Sequence, residues 1–217
     1  MKNMQKAVAR IETAISKNQK ILIYGDYDVD GTTSVAMMYL FLKKHTKNVE
    51  YYIPCRYSEG YGISLTGIDY AYKNNISLII ALDCGITAIN QVEYAAKRGV
   101  DFIICDHHNP PEKIPKAVAV LNPKQFDCNY PYKELSGCGV GFKLIQAYCI
   151  NNDISFDLII QYLDLLAVSI GADIVPMTGE NRVFAFYGLM QINSNPRTGL
   201  KALIDIASRR NSLTIAD

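Results

Sequence analysis

At 217 residues the chain can bury a sizeable core in one large domain, or in one domain with a small appendage. A formal net charge of +1, with 20% charged and 49% hydrophobic residues, is ordinary for a globular protein and excludes a global electrostatic pull toward nucleic acid, so such a partner must be held by a local patch or through metal. The six cysteines show no Cys-x-x-Cys spacing, and neither a signal peptide nor a run of eighteen apolar residues occurs, which argues against a disulfide scaffold, a zinc knuckle or a membrane span and for a soluble cytoplasmic protein.

Met4, Val8, Ile11 and Ile15 recur at helical spacing and predict a helix within residues 1–20, ended by Lys17-Asn18-Gln19-Lys20. Ile21 to Tyr24 predicts a buried strand. It runs into Asp26, Asp28 and Asp30, three carboxylates at alternate positions, then into Gly31-Thr32-Thr33-Ser34 and a helix over residues 31–44. Acids this close repel one another unless a cation sits between them. The carboxyl end of a strand is also where open α/β sheets bind ligands, so a divalent metal is the economical reading. The same acids match the first half of an EF-hand loop, but the twelfth position is Met37 instead of Glu, and a strand leads in where a helix should. Asp30 is read as the cap of the following helix, with Asp26 and Asp28 as ligands.

Val49 to Pro54 predicts a second strand. Lys43, Lys44, His45 and Lys47 suit the end of the preceding helix, so His45 needs no function. The loop from Pro54 to Leu65 combines Arg56, Tyr57, Glu59 and Tyr61 with Gly60 and Gly62; it suits single-stranded nucleic acid by charge and stacking, or is simply a tyrosine-rich loop. A helix follows over Thr66 to Asn74. The unbroken apolar run Leu78 to Leu82 predicts a buried strand that delivers Asp83-Cys84-Gly85, with a helix to about Arg98. The strand Asp101 to Cys105 delivers Asp106-His107-His108, and imidazole beside carboxylate is the arrangement of a metal ligand and its orienter.

Val118 to Leu121 predicts a further short strand. Ser136 to Gly141 is glycine-rich and enters a helix over Phe142 to Ile150; its glycines serve either a phosphate at the helix N-terminus or close packing. A long helix is predicted over Phe156 to Ile170, with Asp164 on its surface. It empties into Gly171-Ala172-Asp173-Ile174-Val175-Pro176, where an unpaired Asp173 between apolar neighbours would be costly, so it is read as another metal ligand. Glu180-Asn181-Arg182 starts another helix and Gly199 to Ala207 a last one. The tail Ser208-Arg209-Arg210-Asn211 has no stop signal, as if the chain had been cut there. Buried strands alternating with helices predict an α/β fold with a mostly parallel sheet covered on both faces.

Asp26-Tyr27-Asp28-Val29-Asp30-Gly31, Leu82-Asp83-Cys84-Gly85, Asp106-His107-His108 and Gly171 to Pro176 occur in the order that defines the DHH phosphoesterase superfamily. Within it the chain resembles the catalytic core of the RecJ branch of single-stranded-DNA exonucleases, as do Glu59-Gly60-Tyr61-Gly62, Gly139 to Leu144 and Gly179-Glu180-Asn181-Arg182. The resemblance implies a five-stranded sheet with a helical C-terminal segment. Residues 1–217 would form one DHH catalytic domain, without the DHH-associated and OB-fold domains of full-length members. It also implies a manganese- or magnesium-dependent nuclease that removes nucleotides from the 5′ end of single-stranded DNA in repair and recombination.

Matched by position, Asp26 and Asp83 would hold one ion, and Asp28, Asp83, His107 and Asp173 a second, with Asp83 bridging. His108 would face the scissile phosphate, Arg56, Tyr61 and Arg182 would contact substrate, and Asp30 and Asp106 would support the ligands. Some superfamily members place a histidine ligand shortly before the first Asp; Ile21 to Gly25 contain none, so the first ion is expected to bind weakly. One alternative is a DHH-type phosphodiesterase acting on short oligonucleotides or cyclic dinucleotides. Another is a non-catalytic, metal-stabilised nucleic-acid-binding module, which would not need the second histidine. Single-stranded DNA is the expected partner and no membrane is; DNA repair proteins are expected, but no motif names one.

Overall fold

The computed structural model describes residues 1–207 and 212–216, so the reading of the tail at 208–211 lies outside the described residues. Among them, the strands β1 (Lys20–Gly25), β2 (Val49–Tyr52), β3 (Ile76–Leu82), β4 (Asp101–Cys105) and β5 (Ala119–Leu121) form one sheet in the order β2-β1-β3-β4-β5. Every adjacent pair is parallel. The helices are α1 (Met4–Ser16), α2 (Val29–Leu42), α3 (Leu65–Lys73), α4 (Ile89–Ala96), α5 (Gly137–Asn151), α6 (Asp157–Ile160), α7 (Leu163–Ala172), α8 (Gly179–Ser194) and α9 (Thr198–Ile206).

Both sheet faces are covered, which is why the strands are apolar at nearly every position instead of alternating. Ile21, Ile23, Leu78, Ile80 and Leu82 pack on one face against α1, α2, α5 and α7. Leu22, Tyr24, Ile79, Ala81 and Phe102 pack on the other against α3 and α4. All six cysteines are free, and five are buried, where a thiol packs as a small apolar group. His45 packs its ring against Phe41 and Tyr148. No helix among the described residues is long and apolar enough to cross a membrane.

The strand order places β2 on one side of β1 and β3 on the other, a topological switch beside which open α/β sheets bind their ligands. Register aligns Gly25 with Leu82, and Leu82 with Cys105. The next residues, Asp26, Asp83 and Asp106, therefore leave three neighbouring strands at one level. That alignment builds the site.

Two expectations are corrected. The helix predicted over Phe156 to Ile170 is broken between Ile160 and Leu163. There the carbonyl of Gln161 accepts from the side chains of Gln191 (2.8 Å) and Arg197 (2.9 Å). Asp164 is not on a helix surface but fully buried. Arg197 satisfies it, with Nε 2.5 Å from Oδ2 and Nη2 2.6 Å from Oδ1. A bidentate arginine is the partner a buried carboxylate requires.

Candidate metal centre

Asp26 follows β1 and is buried; its Oδ1 accepts from the Tyr27 N–H at 2.8 Å, while its Oδ2 has no hydrogen-bond partner. Asp28 is exposed and caps α2, accepting from the Gly31 N–H at 2.8 Å. This corrects the reading of Asp30 as that cap. Asp30 instead reaches across to α5, accepting from the N–H groups of Gly137 (2.7 Å) and Cys138 (2.8 Å) and from the Ser169 hydroxyl (2.8 Å). Three donors fill most of a carboxylate's acceptor capacity, so Asp30 is a brace joining the acid loop to the core.

The N–H groups that open α5 are thus spent on a carboxylate, and the glycine-rich stretch serves close packing. A Cβ added at Gly137 would lie 2.5 Å from both Cβ and Oδ1 of Asp83, closer than atoms can approach. Ser136 caps α5 through the Gly139 N–H at 3.1 Å, and its hydroxyl lies 2.7 Å from that of Ser169.

Asp83 follows β3 in a left-handed conformation (φ 60°) and is buried. Its Oδ1 lies 3.3 Å from His107 Nε2, and neither atom has a hydrogen-bond partner. The same nitrogen is 3.5 Å from Asp173 Oδ2, at the end of α7, and 3.8 Å from Asp30 Oδ2. Ile174 beside it is a β-branched residue at φ 55°, the kind of backbone strain that gathers at functional sites. Among the described residues, two groups have donor atoms within 4.8 Å of one another: Asp83, His107 and His108, and Asp30, His107 and Asp173. Asp26 and Asp28 lie outside these tight groups, although the charge of Asp28 reaches both Asp83 and Asp173.

The electrostatics call for positive charge. Burial, then the charges of Asp30, Asp28, Asp106 and Asp173, push Asp83 up to about 11. Burial raises Asp26 as well, with the charge of Asp28 adding to it. Burial also raises Asp173, against the pull of His107. A divalent cation fits this donor set: Asp26 Oδ2, Asp83 Oδ1 and His107 Nε2 are buried polar atoms without partners, and carboxylates with one imidazole suit a hard ion such as Mn²⁺ or Mg²⁺.

Asp106 orients the second histidine of the pair. Its Oδ1 is 2.7 Å from His108 Nδ1, and its Oδ2 accepts from the Ile86 N–H at 2.8 Å. Burial works against ionising Asp106, but the hydrogen bond and charge of His108 outweigh it and hold the carboxyl below its ordinary value. The same hydrogen bond raises His108 above the ordinary imidazole value, against its partial desolvation. Asp106 and His108 thus form a carboxylate–imidazole pair beside the candidate metal donors, in which each group favours the charged form of the other.

Around this centre, Tyr61 places its hydroxyl 3.2 Å from His108 Nε2, and the Arg56 guanidinium lies 5.3 Å from the centre of the Tyr27 ring. Arg182 is exposed in the first turn of α8. Sequence reasoning gave no role to Ser136, Ser169 or Asn181. The Asn181 amide donates to the carbonyls of Glu134 (2.5 Å) and Pro176 (3.1 Å), tying the loop after Asp173 to the loop before α5. Ser136 before a helix carried a capping signal. Ser169 and Asn181 carried none: Asp30 lies 139 residues from Ser169, and Glu134 lies 47 from Asn181.

The family model described as "DHH family, N-terminal domain" matches residues 20–170. The single-stranded-DNA-specific exonuclease RecJ of Bacillus subtilis is 43% identical over 95% of this chain, which covers 26% of that protein. The Escherichia coli RecJ is 34% identical over 96% of this chain, covering 38% of its own length. The crystal structure of an exonuclease RecJ bound to manganese superposes on all of this chain and 55% of the other, with a TM-score of 0.88 and 30% identity. The chain therefore spans about a quarter to two fifths of the length of these two relatives.

Proposed function

The chain belongs to the DHH family, and on that premise we propose that it is a divalent-metal-dependent phosphodiesterase acting on single-stranded DNA, cutting from the 5′ end in repair and recombination. The observation that carries the reading is the trio of unpartnered buried atoms, Asp26 Oδ2, Asp83 Oδ1 and His107 Nε2, at the ends of three neighbouring parallel strands. The substrate is inferred from the RecJ relatives, which are single-stranded-DNA-specific exonucleases. A cytoplasmic location and repair proteins as partners belong to the same proposal.

Asp26 and Asp83 would hold one Mn²⁺ or Mg²⁺ ion, and Asp28, Asp83, His107 and Asp173 the other. When bound, two such ions supply an activated water and charge for the entering and leaving oxygens of phosphoryl transfer. The chain's own groups do the rest. Asp83 would serve both sites from a strand end fixed by its N–H to the Cys105 carbonyl, at 2.8 Å. Asp30 keeps the acid loop in place by gripping the start of α5. His108, whose hold on a proton is strengthened by its pair with Asp106, would face the scissile phosphate without being needed as a metal ligand. Arg56 and Arg182 would meet backbone phosphates, and Tyr27 and Tyr61 offer aromatic faces to bases.

The test is hydrolysis of end-labelled single strands with and without Mn²⁺. Mononucleotides released from the 5′ end support the reading. Activity confined to dinucleotides would move the enzyme to the short-oligonucleotide class, and metal binding without hydrolysis would make it a binding module.

A further inference from the structure

Tyr61 stands between two glycines in the left-handed region, Gly60 at φ 81° and Gly62 at φ 79°. A Cβ added at either would meet nothing within 4 Å, so these positions demand a backbone conformation, not clearance. The flanks of this turn are locked. The Glu59 carboxylate accepts from the Tyr52 hydroxyl (2.8 Å), the Cys55 N–H (2.9 Å) and the Ser64 hydroxyl (2.6 Å). The Tyr24 hydroxyl donates to the Gly62 carbonyl at 2.9 Å and accepts from the Ser64 N–H at 3.0 Å. A loop built this way presents the one side chain between its glycines.

That side chain is delivered to His108. The Tyr61 ring meets the imidazole edge-on at 6.2 Å between centroids, and its hydroxyl reaches Nε2 at 3.2 Å, while Asp106 holds Nδ1 at 2.7 Å. The His108 side chain is 46% exposed, so packing alone does not fix its ring. The last torsion of histidine has a broad well. One hydrogen bond at Nδ1 leaves the ring free to swing about it, and a second at Nε2 removes that freedom.

We propose that Tyr61 is a positioning residue that acts through His108: the turn braced by Glu59 aims the tyrosine hydroxyl at Nε2, and Tyr61 and Asp106 together fix the imidazole from both nitrogens. The proposal rests on the reading of His108 as the group that faces the phosphate. Nε2 is the nitrogen left to reach substrate, so the hydroxyl keeps the ring aimed and yields or shares that nitrogen when a phosphate oxygen arrives. A role as a base-stacking surface alone would need the ring of Tyr61 but not its hydroxyl.

Tyr61→Phe keeps the ring and deletes the hydroxyl at a residue 60% exposed, where the fold does not depend on it. In Mn²⁺-dependent cleavage of a single-stranded oligonucleotide, kcat should fall about fivefold to tenfold, the worth of one hydrogen bond, with KM and Mn²⁺ affinity little changed. Added to His108→Ala, the same substitution should cost nothing more. In the metal-free protein, the His108 imidazole resonances should shift and broaden in Tyr61→Phe while those of His107 stay. Glu59→Ala, which frees the turn without touching Tyr61, should reproduce both effects. Equal losses in both histidine backgrounds, a loss confined to KM, or unmoved His108 resonances would overturn the proposal. The magnetic resonance measurement needs no turnover, so an unmodified chain that cuts no DNA would sink the nuclease reading and leave this one still decided by the spectrum.

Discussion

Asp83 Oδ1 and His107 Nε2 face each other at 3.3 Å, both buried and both without a hydrogen bond. Left alone, such a pair costs desolvation that nothing offsets. A cation held by these two groups would remove the cost. Asp83→Ala should therefore abolish both high-affinity Mn²⁺ binding and hydrolysis, since Asp83 alone is assigned to both ions. Calorimetric titration checks it, and unchanged stoichiometry and affinity would refute the bridging role.

The adjacent histidines should separate by function. His107→Ala removes an unpartnered buried donor and should weaken Mn²⁺ binding. His108→Ala should leave metal affinity nearly intact, because Asp106 and Tyr61 already engage its nitrogens, yet slow turnover on the order of 10²-fold or more. Equal metal loss in both variants would show that His108 is itself a ligand.

Metal should also change how stability responds to pH. Asp83 at about 11, together with raised Asp26 and Asp173, means the metal-free fold holds protons that the unfolded chain releases near pH 4. For groups raised on folding, the stabilising contribution is complete below the unfolded value and is lost as pH climbs toward the folded one. Chelated protein should melt at progressively lower temperature from about pH 5 to about pH 8. Mn²⁺ at a hundredfold excess over its Kd should add about 2.7 kcal/mol. The melting gap between the two should widen with pH, and a constant gap would mean these carboxylates do not hold the ion.

Much of this architecture was legible because it is local. Unbroken apolar runs ending in Asp26, Asp83 and Asp106 announced buried parallel strands with acids at their carboxyl ends, and register then did the gathering. What local pattern could not give was the partner of a buried acid. Asp28 and Asp30 are equally spaced candidates for capping α2, and only the position of α5 assigns Asp30 to Gly137 and Cys138. Asp164 looked like a surface residue because its partner, Arg197, lies 33 residues away.

That pair makes its own prediction. Arg197→Ala would leave Asp164 charged and buried with no cation, at a cost of about 3–5 kcal/mol. Chemical denaturation should register the full loss. Mn²⁺ affinity, measured where the variant is still folded, should not change, because the pair ties α9 to α7 and no residue of the metal centre takes part in it.

The chain should cut but grip poorly. Asp26, Asp28, Asp83, His107, His108 and Asp173 are all present, so the proposed chemistry has its groups. Phosphate contacts dominate affinity for nucleic acid, and each one absent weakens binding and flattens its salt dependence. A formal net charge of +1 supplies few of them beyond Arg56 and Arg182, and the chain spans only 26% and 38% of the two relatives named above. Hydrolysis of single-stranded oligonucleotides in Mn²⁺ should accordingly be weak and distributive, with most strands released after one or a few cuts. The salt dependence of binding should be shallow, reflecting few counterions released. Adding excess unlabelled strand after the reaction has begun should stop the shortening of labelled molecules almost at once. Long products continuing to disappear under that trap would mean that these 217 residues carry a DNA clamp of their own.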